Sequence, residues 1–288
     1  MAEITAEDIA ATKPDCRAGV ALLNQAMNVA IGKAKLPAGR AFMLGIMAGM
    51  LIATGATFML LTKGDTTLSF APSQVLGGVA FSLGLLCVIV AGAELFTGNC
   101  LMVCAAADGK ISWVDVLKNW VVVYVGNLVG SLIMVAILLG GNFAGMAGGA
   151  VGDAMINVAY GKISLSPAVI FFRGIMCNWL VCLAVWMGFA GRTVIDKVFT
   201  SMFPVIAFVA CGFEHCVANM FFLPMGVAAL NTYGYTGDID PAKLDAIVQT
   251  VTAGGCAYNI ALATLGNIVG GAIMVGMVYW ISYHKKNA

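Results

Sequence analysis

The sequence predicts an all-α membrane protein: six transmembrane helices in two inverted three-helix repeats, with the second and fifth helices broken. Three observations lead there. Of the 288 residues, 61% are apolar and only 10% charged, whereas a soluble domain carries about 25% charged residues. Six apolar segments are each long enough to cross about 30 Å of hydrocarbon. Features of the first three segments also recur in the last three.

Residues 1–39 form a polar N-terminal segment, read as cytoplasmic. Glu3, Glu7 and Asp8 open it without the apolar core of a signal peptide, and Thr5 followed by Asp8 fits a helix cap. Val20, Leu23, Met27, Ile31 and Ala34 then recur at helical spacing, the pattern of an amphipathic helix on a membrane surface. Such a helix serves either as an anchor or as a movable cap over a pore mouth. Residues 40–283 hold the six-span transmembrane domain and 284–288 a cytoplasmic tail.

The apolar segments run approximately 41–62, 74–107, 112–140, 166–190, 195–230 and 251–282. The second and fifth exceed one straight span, and both carry glycine and acidic residues centrally: Gly92-Ala-Glu94-Leu-Phe-Thr97-Gly98-Asn99 and Gly212-Phe-Glu214-His215. Such interruptions mark broken helices, tolerated at membrane depth only where protein or a cavity satisfies the freed backbone. A carboxylate at mid-helix costs about 3 kcal/mol on insertion scales, so the Glu214–His215 pair must face a bundle interior or a watery path.

Orientation follows from the cations. With the N-terminus inside, Lys13, Arg17, Lys33, Lys35, Arg40, Lys110, Lys118, Arg192, Lys197, Lys285 and Lys286 fall on the cytoplasmic side. Lys63, Lys162, Arg173 and Lys243 fall outside, together with the acidic loop of Asp238, Asp240 and Asp245. This is a positive-inside bias that places both termini in the cytoplasm of a cell (inner) membrane protein. Residues 126–135 match residues 266–275 at seven of ten positions, and Glu94-to-Asn99 repeats the spacing of Glu214-to-Asn219. Three spans per repeat force opposite orientations, so the broken helices meet near the midplane.

Composition excludes several functions. A net charge of +1 offers no basic patch for nucleic acid. The nine cysteines show no C-x-x-C pair and no metal-ligand spacing with histidine; Cys100/Cys104, Cys177/Cys182 and Cys211/Cys216 read as small buried packing residues. Neither metal nor other cofactor is implied, and no nucleophile motif supports an enzyme. The G-x-x-x-G pairs Gly126/Gly130 and Gly266/Gly270 serve helix or subunit packing. Thr97 either donates to an anion at the break or bonds back to a helix carbonyl. His215 is either a donor and proton source or a neutral imidazole tied to Glu214 or to a backbone carbonyl.

Ile89-Val-Ala-Gly-Ala-Glu-Leu-Phe-Thr-Gly98, Gly174-Ile-Met-Cys-Asn-Trp-Leu-Val-Cys-Leu-Ala184 and Gly212-Phe-Glu-His-Cys-Val-Ala-Asn-Met220 resemble the formate/nitrite transporter family, whose members move small monovalent anions. The six-span layout extends the likeness over residues 20–285. The resemblance implies an aquaporin-like fold assembled as a homopentamer in the lipid bilayer, with one pore per protomer. It makes Thr97 and His215 the polar pair of a central chamber, with Glu214 and Asn219 holding His215 and Asn178 lining the path. Leu85, Leu95, Phe96 and Val181 become the cytoplasmic-side constriction, Phe81 and Phe208 the outer one, and Lys162 draws anions to the outer vestibule.

The expected function is a channel for formate and related anions (nitrite, hydrosulfide, lactate), with the formate subgroup favoured over a nitrite or hydrosulfide channel. A bare anion pays heavily to enter an apolar ring, so the expected mechanism has the Thr97/His215 chamber bind the anion and favour its protonation, the neutral acid then crossing. A membrane scaffold or redox protein is the reading from another class.

Overall fold

The computed structural model describes residues 16–237 and 239–284. The expected Thr5–Asp8 cap, Asp238 and residues 285–288 of the tail lie outside them. All regular structure among the described residues is helical. Helix α1 spans Val20–Ala34, α2 Ala38–Lys63 and α3 Phe70–Ala91. After a break, α4 covers Phe96–Ala107 with a tight 3₁₀ turn at Cys100–Met102. Then come α5, Trp113–Gly140, and the short α6, Ala150–Ile163. Next are α7, Pro167–Ala190, and α8, Val194–Ala210, with α9, Cys216–Tyr233, after the second break. The short α10, Pro241–Thr250, leads into α11, Ala253–Tyr283. The six expected spans are therefore present, two of them split where glycine and acid meet.

Polar loops start the spans by capping. Ser112 with Asp115 forms a capping box at α5, Thr193 with Asp196 does so at α8, and the Thr252 hydroxyl accepts from Gly255 N–H at α11. The breaks have a different cause. Gly92 and Gly212 sit at φ 78° and 68°, left-handed backbone that only glycine adopts without a Cβ penalty. Each turns the chain out of its helix, and the following residues Ala93 and Phe213 donate back to Val88 O and Phe208 O, both at 3.0 Å. Two residues later, Leu95 and His215 are extended and restart the helix as N-caps of α4 and α9.

The repeats pack alike. Helix α2 lies on α3 and α5 as α7 lies on α8 and α11, while α3 against α8 joins the halves. A Cβ on Gly126 would meet Phe42 O at 2.7 Å, and one on Gly266 or Gly270 would strike the Phe171 or Ile175 carbonyl. The G-x-x-x-G pairs thus bring α5 onto α2 and α11 onto α7 within one chain. The short helices match too, α1 packing on α4 as α6 packs on α9. Helix α1 corrects the expected stripe: Leu22, Leu23, Ala26, Met27 and Ala30 are buried, whereas Val20 is exposed and Ile31 and Ala34 are half-buried. Its apolar face rests on protein, on Leu101, Val103 and Val116 among others, instead of lying on lipid. Outward-facing Phe70, Phe172, Phe203 and Ile281 leave the bundle an apolar exterior that only lipid or another apolar surface can cover.

The repeat is not perfect. Helix α11 widens into a π-helix over Val269–Met277, while the matching part of α5 stays α-helical. There Gly271 replaces Ser131, and a Cβ on it would meet Cys182 Sγ at 2.7 Å and Cys100 Cβ at 2.9 Å. Cys100, Cys104, Cys177, Cys182 and Cys216 are buried free thiols. Cys211 departs from expectation: it is exposed, because α8 ends there and the chain turns outward at Gly212.

Candidate functional site

Each break is held by the same set of side chains. Asn127 on α5 accepts from Phe96 N–H (3.0 Å) and donates to Gly45 O (2.8 Å) and Glu94 O (2.9 Å). Asn267 on α11 accepts from Cys216 N–H (2.9 Å) and donates to Gly174 O and Glu214 O, both at 2.8 Å. Glu94 N–H donates to Leu44 O and Glu214 N–H to Arg173 O. Irregular backbone buried away from water requires such satisfaction.

The carboxylates are matched as well. Glu94 accepts from Lys33 Nζ at 2.6 Å and from Asn99 Nδ2 at 2.7 Å. Glu214 accepts from Lys162 Nζ at 2.9 Å, Asn219 Nδ2 at 2.7 Å and Asn259 Nδ2 at 3.1 Å. Asn99 also donates to Asn119 Oδ1 and Asn219 to Asn259 Oδ1, both at 2.7 Å. Glu214 therefore binds the lysine and Asn219 braces Glu214 and Asn259, and these hydrogen bonds do not reach the imidazole.

His215, at 3% exposure, is held by two other contacts. Its Nδ1 accepts the Ala218 backbone N–H at 2.9 Å, capping α9. A backbone N–H can only donate, so Nδ1 carries a lone pair and the proton sits on Nε2. Nε2–H then donates to Thr97 Oγ1, 3.0 Å away. The Thr97 hydroxyl, fully buried, keeps its own hydrogen for another acceptor. Asn178 is also fully buried; its Nδ2 donates to Asn267 O at 2.7 Å and Thr97 O at 3.2 Å, fixing the Thr97 backbone.

Two cavities approach this pair from opposite ends. One of about 530 Å³ lies beside α1 and is lined by Arg17, Lys33, Glu94, Lys197, Leu85 and Leu95. The other, about 360 Å³, lies beside α6 and is lined by Lys162, Glu214, His215, Phe81, Phe208 and Phe222, with Lys63 and Arg173 at its rim. Thr97, Asn178, Asn219, Phe96 and Val181 line neither; Phe96 turns its edge to Trp120 and Tyr124. Phe81 packs edge-on to Phe208 at 5.8 Å and stacks on Phe222 at 6.1 Å, and Phe208 stacks on His215 at 5.9 Å. Leu85 and Leu95 line the first cavity, and this aromatic group lines the second.

Sequence reasoning missed Lys33 as the partner of Glu94, the four asparagines Asn119, Asn127, Asn259 and Asn267, and Phe222. The asparagines at 127 and 267 stood inside the recognised repeat. The lysines had a signal of their own: Asn28-Val-Ala-Ile-Gly-Lys33 recurs as Asn157-Val-Ala-Tyr-Gly-Lys162. Phe222 left none beyond a pair of adjacent aromatics.

The comparisons with known proteins agree with this architecture. The family model described as formate/nitrite transporter matches residues 20–281. The formate channel FocA of Haemophilus influenzae is 40% identical over 262 residues, covering 88% of this chain and 89% of that protein. FocA of Escherichia coli K12 is 38% identical over 255 residues, covering 86% and 88%. A solved pentameric formate channel with formate bound superposes with TM-score 0.77 at 40% identity, covering 86% of this chain and 98% of that one. With six apolar helices of spanning length, this is a multi-pass membrane protein of an anion channel family. The chain belongs to the formate/nitrite transporter family.

Proposed function

We propose that the protein carries formate and similar small monovalent anions across a cell membrane, as one pore of a homopentamer with both termini cytoplasmic. The relatives named above are formate channels, one of them pentameric, and the positive-inside count favours the α1-side cavity as cytoplasmic. The observation that carries the mechanism is the Thr97–His215 hydrogen bond; Leu85 with Leu95, and Phe81 with Phe208 and Phe222, are taken as the apolar collars on its two sides. Positive ends of α4 and α9 converge there, which favours an anion.

The tautomer refines the expected chemistry. Neutral His215 with Nδ1 held by Ala218 N–H is a poor source of protons, because giving up Nε2–H would leave an imidazolate. Its work is to orient Thr97, so that the hydroxyl hydrogen points to the carbonyl oxygen of the arriving formic acid. Leaving water for an apolar collar disfavours the charged form of any carboxylate, so formate takes its proton from vestibule water and crosses the collar as the neutral acid.

Formate flux into proteoliposomes tests the reading. A hydrogen bond to a neutral solute contributes about 0.5–1.5 kcal/mol, so Thr97→Val is expected to lower flux by up to about tenfold. Thr97→Ser, which keeps the hydroxyl, stays within a few-fold of wild type. Equal flux through the valine variant would remove Thr97 from the path.

A further inference from the structure

The α6-side mouth holds more positive charge than the Lys162–Glu214 pair explains. Lys162, whose side chain is 17% exposed, is neutralised by Glu214 at 2.9 Å. Two other cations reach the same cavity, Lys63 from the end of α2 and Arg173 from α7. Among the described residues neither has a carboxylate partner. Lys63 Nζ donates to Ser73 Oγ at 3.2 Å and to Gln74 Oε1, and Arg173 Nη1 donates to Gly212 O at 3.3 Å. All three acceptors are neutral, so both charges stand uncompensated. Most of the guanidinium's N–H donors remain available to a ligand. The cavity wall behind them is aromatic, which lowers the local dielectric and strengthens attraction to an anion.

We infer that Arg173 and Lys63 form a reception subsite for one small carboxylate at this mouth, a stage before Thr97. The guanidinium fork matches a carboxylate in two-point geometry and the ammonium adds a point charge. Lys162 then acts mainly through Glu214, as part of the brace that holds the broken helix. The subsite rests on the proposed formate transport, and it gives Arg173 a role besides supporting the Gly212 carbonyl.

Two readouts test it. The first is the concentration dependence of formate uptake from the Arg173 side in oriented vesicles. Arg173→Gln retains an N–H for Gly212 O but loses the charge. Its KM is expected to rise about 10-fold, the low end of what a charged cleft adds to encounter, with maximal flux within about twofold. Lys63→Gln raises KM in the same direction, Arg173→Lys recovers part of the loss, and the difference from wild type shrinks as ionic strength rises. An unchanged KM in Arg173→Gln, or a lower maximal flux at unchanged KM, would assign Arg173 to structure alone and overturn the subsite.

The second readout does not depend on transport. Sodium formate should slow phenylglyoxal modification of Arg173 several-fold in the purified protein while leaving the exposed Arg40 unaffected. Protection of Arg173 in a protein that moves no formate would keep the subsite and reject the transport reading. Equal rates with and without formate, or equal protection of both arginines, would reject the subsite.

Discussion

Replacing Asn267 by alanine is expected to cost the fold at least about 3 kcal/mol, taking the low end of about 1–3 kcal/mol for each buried polar group left without a partner. Three such groups depend on this amide: Cys216 N–H, Gly174 O and Glu214 O. Asn267 is fully buried, so water cannot replace it without opening the helix packing. Asn127→Ala should cost a similar amount through Phe96 N–H, Gly45 O and Glu94 O. Against a typical total of about 5–15 kcal/mol, either loss should sharply lower the melting temperature in detergent and the yield of folded protein. Asn259→Ala removes side-chain and helix-end contacts only and should be milder. If Asn267→Ala melted with wild type, the breaks would not be held as described.

Glu214→Ala is the second large effect. It leaves the Lys162 ammonium without its counter-charge and removes the acceptor of Asn219 and Asn259. Removing one partner of a buried ion pair costs about 3–5 kcal/mol, mainly from the charge left behind. Glu94→Ala should cost less: Glu94 accepts from two groups where Glu214 accepts from three, and Lys33 is 22% exposed against 17% for Lys162. The double variant Glu214→Ala with Lys162→Met removes the orphaned charge as well. It should recover part of the stability, and the difference from additivity measures the pair directly. A double variant less stable than Glu214→Ala would mean that Lys162 stabilises the fold by other contacts.

Much of this was legible because the bilayer makes polar groups expensive. Glu94, Thr97, Glu214 and His215 stood out against apolar segments, and glycines beside them announced the breaks. The inverted repeat could be read from Gly-Asn pairs on α5 and α11, whose asparagines proved to be the braces. What the sequence hid depended on which side chain faces which. Lys33 counted only as a cytoplasmic charge for orientation, whereas the fold of α1 delivers it to Glu94. Phe96 was assigned to a collar on its place in a motif; its ring packs against Trp120 and Tyr124, which lie far from it in sequence. Phe222, which does join the aromatic group, lies on α9 seven residues past the N-cap His215. The amphipathic stripe of α1 was off by part of a turn because its apolar contacts come from α4, α5, α7 and α11, distant in sequence.

Passage of formate through the Thr97–His215 chamber as a neutral acid, its proton taken from the vestibule, is the step on which the proposed mechanism stands. It is tested by trapping a pH indicator inside proteoliposomes, clamping the membrane potential and imposing a formate gradient, with protein-free liposomes as the baseline. Luminal acidification should follow formate entry, one proton for each anion, with little net current. Formate entry that carries a matching current with no acidification above the baseline would show bare anions crossing, and would contradict it.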